Sequence, residues 1–77
     1  MRADPNPFRS SVTLRLPAVS DKGRVKIYDA GGRLAADFKN VRQGSLRWNP
    51  RSAPAGVYIV EAEIGGKIFR GKIISMR

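Results

Sequence analysis

Cysteine and histidine are both missing from these 77 residues, and each absence removes a class of chemistry. Without cysteine there is no disulfide to staple a small fold and no thiolate for redox or nucleophilic work. Without histidine the usual general base and a common zinc or copper ligand are gone as well. Acid is scarce too: Asp4, Asp21, Asp29, Asp37, Glu61 and Glu63 face fifteen Lys and Arg, for a formal net charge of +9. Glu61 and Glu63 share one strand face, but Arg70 and Lys72 are expected across from them, so the pattern reads as surface ion pairing rather than a cation site. Ser10, Ser11 and Ser52 have no base in view. The composition therefore points away from an enzyme, with no metal and no cofactor expected.

Long apolar runs are also lacking. None approaches the roughly 20 residues that a membrane-spanning helix needs, and the opening MRADPNPFRSS has no apolar stretch of the signal-peptide kind. The chain is expected to carry neither a span nor a leader of its own. A chain this short hides a smaller fraction of its surface on folding than a larger one does, and a core of this size rarely leaves more than about 3–5 kcal/mol. One domain, residues 1–77, is the expectation.

The positive charge, ten of whose fifteen carriers are arginine, bears on partners rather than on fold. Nucleic acid, anionic lipopolysaccharide and acidic protein surfaces all match its sign. The cations, however, recur singly between apolar positions along the whole chain, as the solvated faces of strands do. Only Tyr28, beside Lys26, is set by alternation on a basic outer face, which falls short of a platform for stacking bases. Nucleic-acid binding is the least favoured of the readings.

What the chain does have is period-two alternation between turn signals, with no helical spacing sustained over three turns. Val12, Leu14 and Leu16 alternate with Thr13 and Arg15 until Pro17, which has no N–H for a ladder. In RVKIYD, Val25 and Ile27 share one face and Arg24 and Lys26 the other; RLAADFK puts Leu34, Ala36 and Phe38 on one face. Ala30, Gly31 and Gly32 join these two runs as a hairpin. GSLRWN supplies a short strand with Leu46 and Trp48, and the latter is expected to anchor the core. A loop through Pro50, Ser52, Pro54 and Gly56 follows.

The strongest local signal is Gly65-Gly66 between GVYIVEAEI and KIFRGKIISM. Pairing Ile64 with Lys67 sets Ala62 opposite Phe69, Val60 opposite Gly71 and Tyr58 opposite Ile73. Glu61 then faces Arg70 on the other side of the sheet. Val57, Ile59, Ile68 and Ile74 make parts of both strands apolar on each face, which predicts a central position or a covered face. Six or seven short strands in so small a chain predict an all-β sandwich or small open barrel.

Taken in order, these segments resemble a known family. It opens with PNPF, here Pro5, Asn6, Pro7 and Phe8, and continues with a strand like SSVTLRLP. Its middle carries VYDxxGR, here Ile27, Tyr28, Asp29, Ala30, Gly31, Gly32 and Arg33. Trp48 and Asn49 come next, then GVY at Gly56, Val57 and Tyr58. It closes on a basic and apolar strand, here Lys72, Ile73, Ile74, Ser75, Met76 and Arg77. From Asp4 to Arg77 the chain resembles the C-terminal sorting domain of the type IX secretion system, the type A family, and the related immunoglobulin-like domain of the flagellar hook-capping protein.

The resemblance implies an immunoglobulin-like or fibronectin III-like antiparallel β-sandwich of six to seven strands. It also implies a non-catalytic secretion signal at the end of a larger exported protein, with cargo attached covalently on its N-terminal side. Recognition in the periplasm by the type IX translocon would rest on Lys72 to Arg77, and passage across the outer membrane would follow. A sortase-like protease would then cut upstream and transfer the cargo to anionic lipopolysaccharide, leaving it secreted or at the cell surface. The motif residues Pro5, Asn6, Pro7, Phe8, Tyr28, Asp29, Gly32, Arg33, Trp48, Gly56 and Tyr58 would hold the fold: Phe8 tucked toward the core, Asp29 and Arg33 bracketing a turn, Tyr58 packed beside Trp48. The alternative is a structural immunoglobulin-like spacer within a multidomain extracellular protein.

Overall fold

Seven strands and no helix account for the regular structure of the described residues, 2–16, 23–41, 44–50 and 54–76, of a computed structural model. One antiparallel sheet holds β1 (Arg2–Asp4), β2 (Val12–Arg15) and β5 (Ser45–Trp48) in the order β1-β2-β5. The other holds β3 (Gly23–Asp29), β4 (Leu34–Val41), β6 (Gly56–Ile64) and β7 (Lys67–Ser75) in the order β4-β3-β6-β7. Two such layers, with the chain passing repeatedly from one to the other, make an immunoglobulin-like sandwich, the arrangement expected from the alternation. Of the seven strands only β1 went unmarked in the sequence, because three residues, Arg-Ala-Asp, carry no apolar period to read.

Alternation builds the core directly. Val12, Leu14 and Leu16 turn inward from one sheet, and Val25, Ile27, Tyr58, Val60, Ala62, Ile64 and Ile73 from the other. Phe8 and Trp48 complete the cluster. The β6–β7 pairing has the register that the glycine pair predicts, Ala62 opposite Phe69, Val60 opposite Gly71, Tyr58 opposite Ile73 and Glu61 opposite Arg70. Gly65 and Gly66 take φ of 59° and 78°, the doubly left-handed turn that matches the twist of two paired strands.

The β3–β4 hairpin departs from simple alternation at two points. Ala36 faces Ile27, but Leu34, not Ala35, faces Tyr28, so one extra residue is absorbed on β4. Such a bulge reverses the side-chain phase. Leu34 therefore stands on the outer face, 53% exposed, and not beside Ala36 and Phe38 as the sequence reading has it. At the other end Lys39 and Asn40 lie between the pairs Val25–Phe38 and Gly23–Val41, with Asn40 at φ 57°. That second bulge returns Val41 to the core side, where, like Phe38, it packs against the buried cluster.

The apolar residues on both faces of the last hairpin have two explanations rather than one. β6 is central, between β3 and β7, while β7 ends its sheet. The outer face stays open, with Val57 37% and Ile68 54% exposed, so it is not a covered face. Pro17, Asp21, Ser52 and Arg77 lie outside the described residues.

Candidate functional site

The PNPF residues lie along the free side of the last strand. Pro5, Asn6 and Pro7 are exposed, and Phe8 is fully buried. The segment after β1 crosses from the first sheet to the second and lies along β7, Phe8 pairing with Ser75 in parallel. The Asn6 side chain substitutes for a stretch of strand backbone: its Nδ2 donates to the Lys72 carbonyl at 3.0 Å, and its Oδ1 accepts from the Ile74 N–H at 3.1 Å. Phe8 continues the ladder, its N–H donating to the Ile74 carbonyl at 2.8 Å and its carbonyl accepting from the Met76 N–H at 2.8 Å. Edge strands are templates for wrong pairing; here the half of the edge from Lys72 to Met76 is taken up by a segment sixty-eight positions away, counting from Asn6 to Ile74.

This arrangement sorts the residues that the family resemblance singles out. Ile73 and Ser75 point into the core, 1% and 2% exposed, and present nothing to a partner. Lys72, Ile74 and Met76 lie on the outer side of the same strand. Arg77 lies outside the described residues. Backbone addition of a partner strand along Lys72 to Met76 would have to displace Asn6 and Phe8, so it is the outward side chains that this part of β7 offers.

The remaining motif positions hold turns and the aromatic centre. Asp29 Oδ1 accepts from the N–H of Gly31 at 2.9 Å and of Arg33 at 2.8 Å, while its own N–H donates to the Arg33 carbonyl at 2.9 Å. Gly32, at φ 87°, supplies the left-handed step inside that turn. Trp48 stands between Phe8, at a ring separation of 5.9 Å, and Tyr58, at 5.4 Å and edge-on. The Tyr58 hydroxyl donates to the Pro54 carbonyl four residues upstream, a backward tie of the kind that sandwich domains use at the start of an inner strand. Gly56, at φ 142°, lies between the two. Tyr28 is half-buried on the outer face, opposite Ile59 and Leu34.

Charge on the outer face is largely answered locally. Arg24 grips Asp37 with two bonds, 3.1 and 2.7 Å, Arg70 binds Glu61 at 3.1 Å, and on the other sheet Arg15 meets Asp4 at 3.4 Å. Among the described residues no cluster of acidic groups suited to a metal ion occurs. A cleft of about 560 Å³ opens between β4 and β5, lined by Asp37, Phe38, Lys39, Asn40, Val41, Ser45 and Leu46. Its one carboxylate is the one that Arg24 holds, so it gathers no acid–base pair.

The Arg24–Asp37 pair has a consequence in acid. The hydrogen bonds from Arg24 hold the Asp37 carboxyl below the ordinary carboxylate range, with the positive charges of Arg24, Lys39 and Lys26 adding to the effect against partial desolvation. A carboxyl with a lowered folded-state pKa stabilises the fold above its unfolded value, about 4, and that contribution disappears as pH falls through the folded value. Carbon-detected NMR titration is expected to give Asp37 a midpoint below the ordinary carboxylate value of about 4. In Arg24→Gln the Asp37 midpoint should climb back toward about 4; an unchanged midpoint would remove the pair as the cause.

The Asn6 contact is the functional feature that sequence reasoning missed. A Pro-Asn-Pro stretch signals only an extended segment, and nothing in its local pattern says which edge it will meet. Comparison with known proteins adds one finding. The model of a protein family described as the secretion system C-terminal sorting domain matches residues 4–76. No curated protein matches the chain.

Proposed function

The chain belongs to the family of secretion system C-terminal sorting domains, and from that premise we propose that its folded surface, with the exposed residues of the last strand foremost, is what the translocon reads. A sorting domain of this kind is a signal for the type IX secretion system, and it marks a protein for export to the cell surface or beyond. Families of secretion signals are typically non-catalytic, in keeping with a chain that has no histidine or cysteine. The finer reading is that a cargo attached on the N-terminal side is met in the periplasm, carried across the outer membrane and released or transferred to anionic lipopolysaccharide by a sortase-like protease.

One observation carries the assignment of the recognition strand. The PNPF segment fastens β7 from Lys72 to Met76 through four hydrogen bonds, two from the Asn6 side chain and two from the Phe8 backbone. A strand held on both sides keeps Lys72, Ile74 and Met76 in a fixed outward row, and a pre-ordered row costs a partner less to bind than a loose tail does. The chain segment that leads toward the cargo is then also the one that braces the signal.

The test is a reporter with a signal peptide, fused to residues 1–77 in a host that has a type IX system. The reporter should reach the medium or the cell surface. Replacing the three outward-facing residues together, Lys72→Ser, Ile74→Ser and Met76→Ser, should hold it in the periplasm while leaving Ile73 and Ser75 in the core. Periplasmic retention of the intact fusion would refute the sorting role for this chain. Undiminished export of the triple variant would refute the strand assignment.

A further inference from the structure

The outer face of the β4-β3-β6-β7 sheet is divided in two. Toward the β6–β7 turn its charges answer one another: Arg24 binds Asp37 and faces Glu63 in register, Lys26 faces both Asp37 and Glu61, and Arg70 binds Glu61. Toward the opposite end the same four strands carry almost no charge. Leu34, Tyr28 and Ile59 follow one another across β4, β3 and β6 in a single row that ends on Lys72 of β7. In the next row Val57 faces Ile74, with Met76 just beyond.

Three of these side chains stand well into solvent, Leu34 at 53%, Met76 at 46% and Val57 at 37% exposure. Contiguous exposed apolar surface on a small domain marks a place of contact, whereas scattered single residues do not. Leu34 reaches this face only because the bulge in β4 reverses its phase; without the extra residue it would point inward with Ala36. A bulge that re-aims an apolar side chain from core to solvent enlarges the patch. Lys72 is the patch's own cation, and among the described residues it has no ion-pair partner, unlike Arg24 and Arg70 on the charged half.

We propose that this apolar half-face, Leu34, Tyr28, Ile59, Val57, Ile74 and Met76 with Lys72 at its margin, seats a protein partner whose contact surface is apolar and carries a carboxylate opposite Lys72. The proposal rests on the reading that the last strand is recognised, and it widens the recognised surface from one strand to four. Charge decides among the occupants. A polyanionic glycolipid needs several unpaired cations close together, and among the described residues this half-face has one, with Arg24 and Arg70 already bound to acids. A second copy of the chain would bring another Lys72 and no acid from the patch to receive it. An acid-bearing apolar protein surface satisfies both features at once, and burying the aromatic and aliphatic centre would supply most of the affinity while Lys72 sets partner choice.

The experiment uses the same secreted fusion, with a photo-crosslinking amino acid at Ile59 or, as control, at Glu63 on the charged half. Ile59 should crosslink to a protein of the translocon, and Glu63 should not. Leu34→Glu with Val57→Glu should cut secreted reporter by roughly tenfold or more, in the range that loss of an interface centre produces. Because both side chains face solvent, the thermal midpoint of the purified fusion should stay put, which separates lost docking from lost folding. Lys72→Glu should impair export and Lys72→Arg should not. Crosslinks to lipopolysaccharide, to a second copy of the chain, or equally from both positions would overturn the proposal. Normal export of the Leu34/Val57 variant alongside blocked export of the β7 triple variant would remove this proposal alone; normal export of both would remove the strand assignment with it.

Discussion

Phe8→Ala is expected to leave the domain largely unfolded at room temperature. Deleting a fully buried phenylalanine ring typically costs about 3–5 kcal/mol, and a cysteine-free core of this size has about that much in total. Phe8 is wholly buried, and its ring meets Trp48 at 5.9 Å. Its backbone meanwhile bonds Ile74 and Met76. Alanine would keep those backbone groups but lose the apolar anchor that holds them at the edge, so the whole PNPF contact should go with the ring. Urea unfolding followed by the fluorescence of the single tryptophan reads this directly. Asn6→Ala provides the scale: it removes two bonds at an exposed edge where water can replace them, a loss of about 1 kcal/mol. If Phe8→Ala lowered the urea midpoint no further than Asn6→Ala does, the ring would not be the anchor described here.

Trp48→Ala should be comparably severe, again about 3–5 kcal/mol. Trp48 belongs to β5 in one sheet, Tyr58 to β6 in the other, and Phe8 to the segment that crosses between them, so the indole is where three parts of the chain meet. Removing it would open a cavity across the gap between layers that neither sheet could close without shifting. Trp48→Phe, which keeps an aromatic in place, should lose less than half as much. Circular dichroism melts of the two variants provide the comparison, since the substitution removes the fluorescent reporter. Equal destabilisation by Phe and Ala would mean that the indole's size, and not an aromatic centre, is what the layers require.

Both predictions concern residues whose importance the sequence announces in different degrees. Trp48 stands out as a large aromatic on a short alternating strand, and a core role follows from that alone. Phe8 follows two prolines in a stretch with no periodicity, so its burial is legible only through the family resemblance. Asn6 was not legible at all as a bonding residue. Its partners, Lys72 and Ile74, lie at the other end of the chain, and no period, turn signal or spacing relates the two.

Leu34 makes the same point from the opposite side. Strict alternation through RLAADFK assigns it inward, and the assignment holds for Ala36 and Phe38 but fails at Leu34. The bulge responsible depends on how β4 fits against β3 beside the Asp29 turn, and a single strand's pattern carries no record of its neighbour's twist. The candidate contact face in turn owes its outermost apolar residue to that irregularity.

The amino-acid order by itself determines the class of fold, the turns and the absence of a histidine or cysteine to do chemistry, because alternation and glycine placement act over a few residues and composition over none. It also determines the β6–β7 register, since a two-residue turn leaves the facing residues no freedom to slide. Only the packed sandwich decides that Asn6 and Phe8 brace the last strand, that Leu34 turns outward, and that one half of a sheet face is left apolar beside Lys72. Those outcomes arise from segments remote in the chain being brought to one edge or one face, where hydrogen bonding and burial act on whatever meets there.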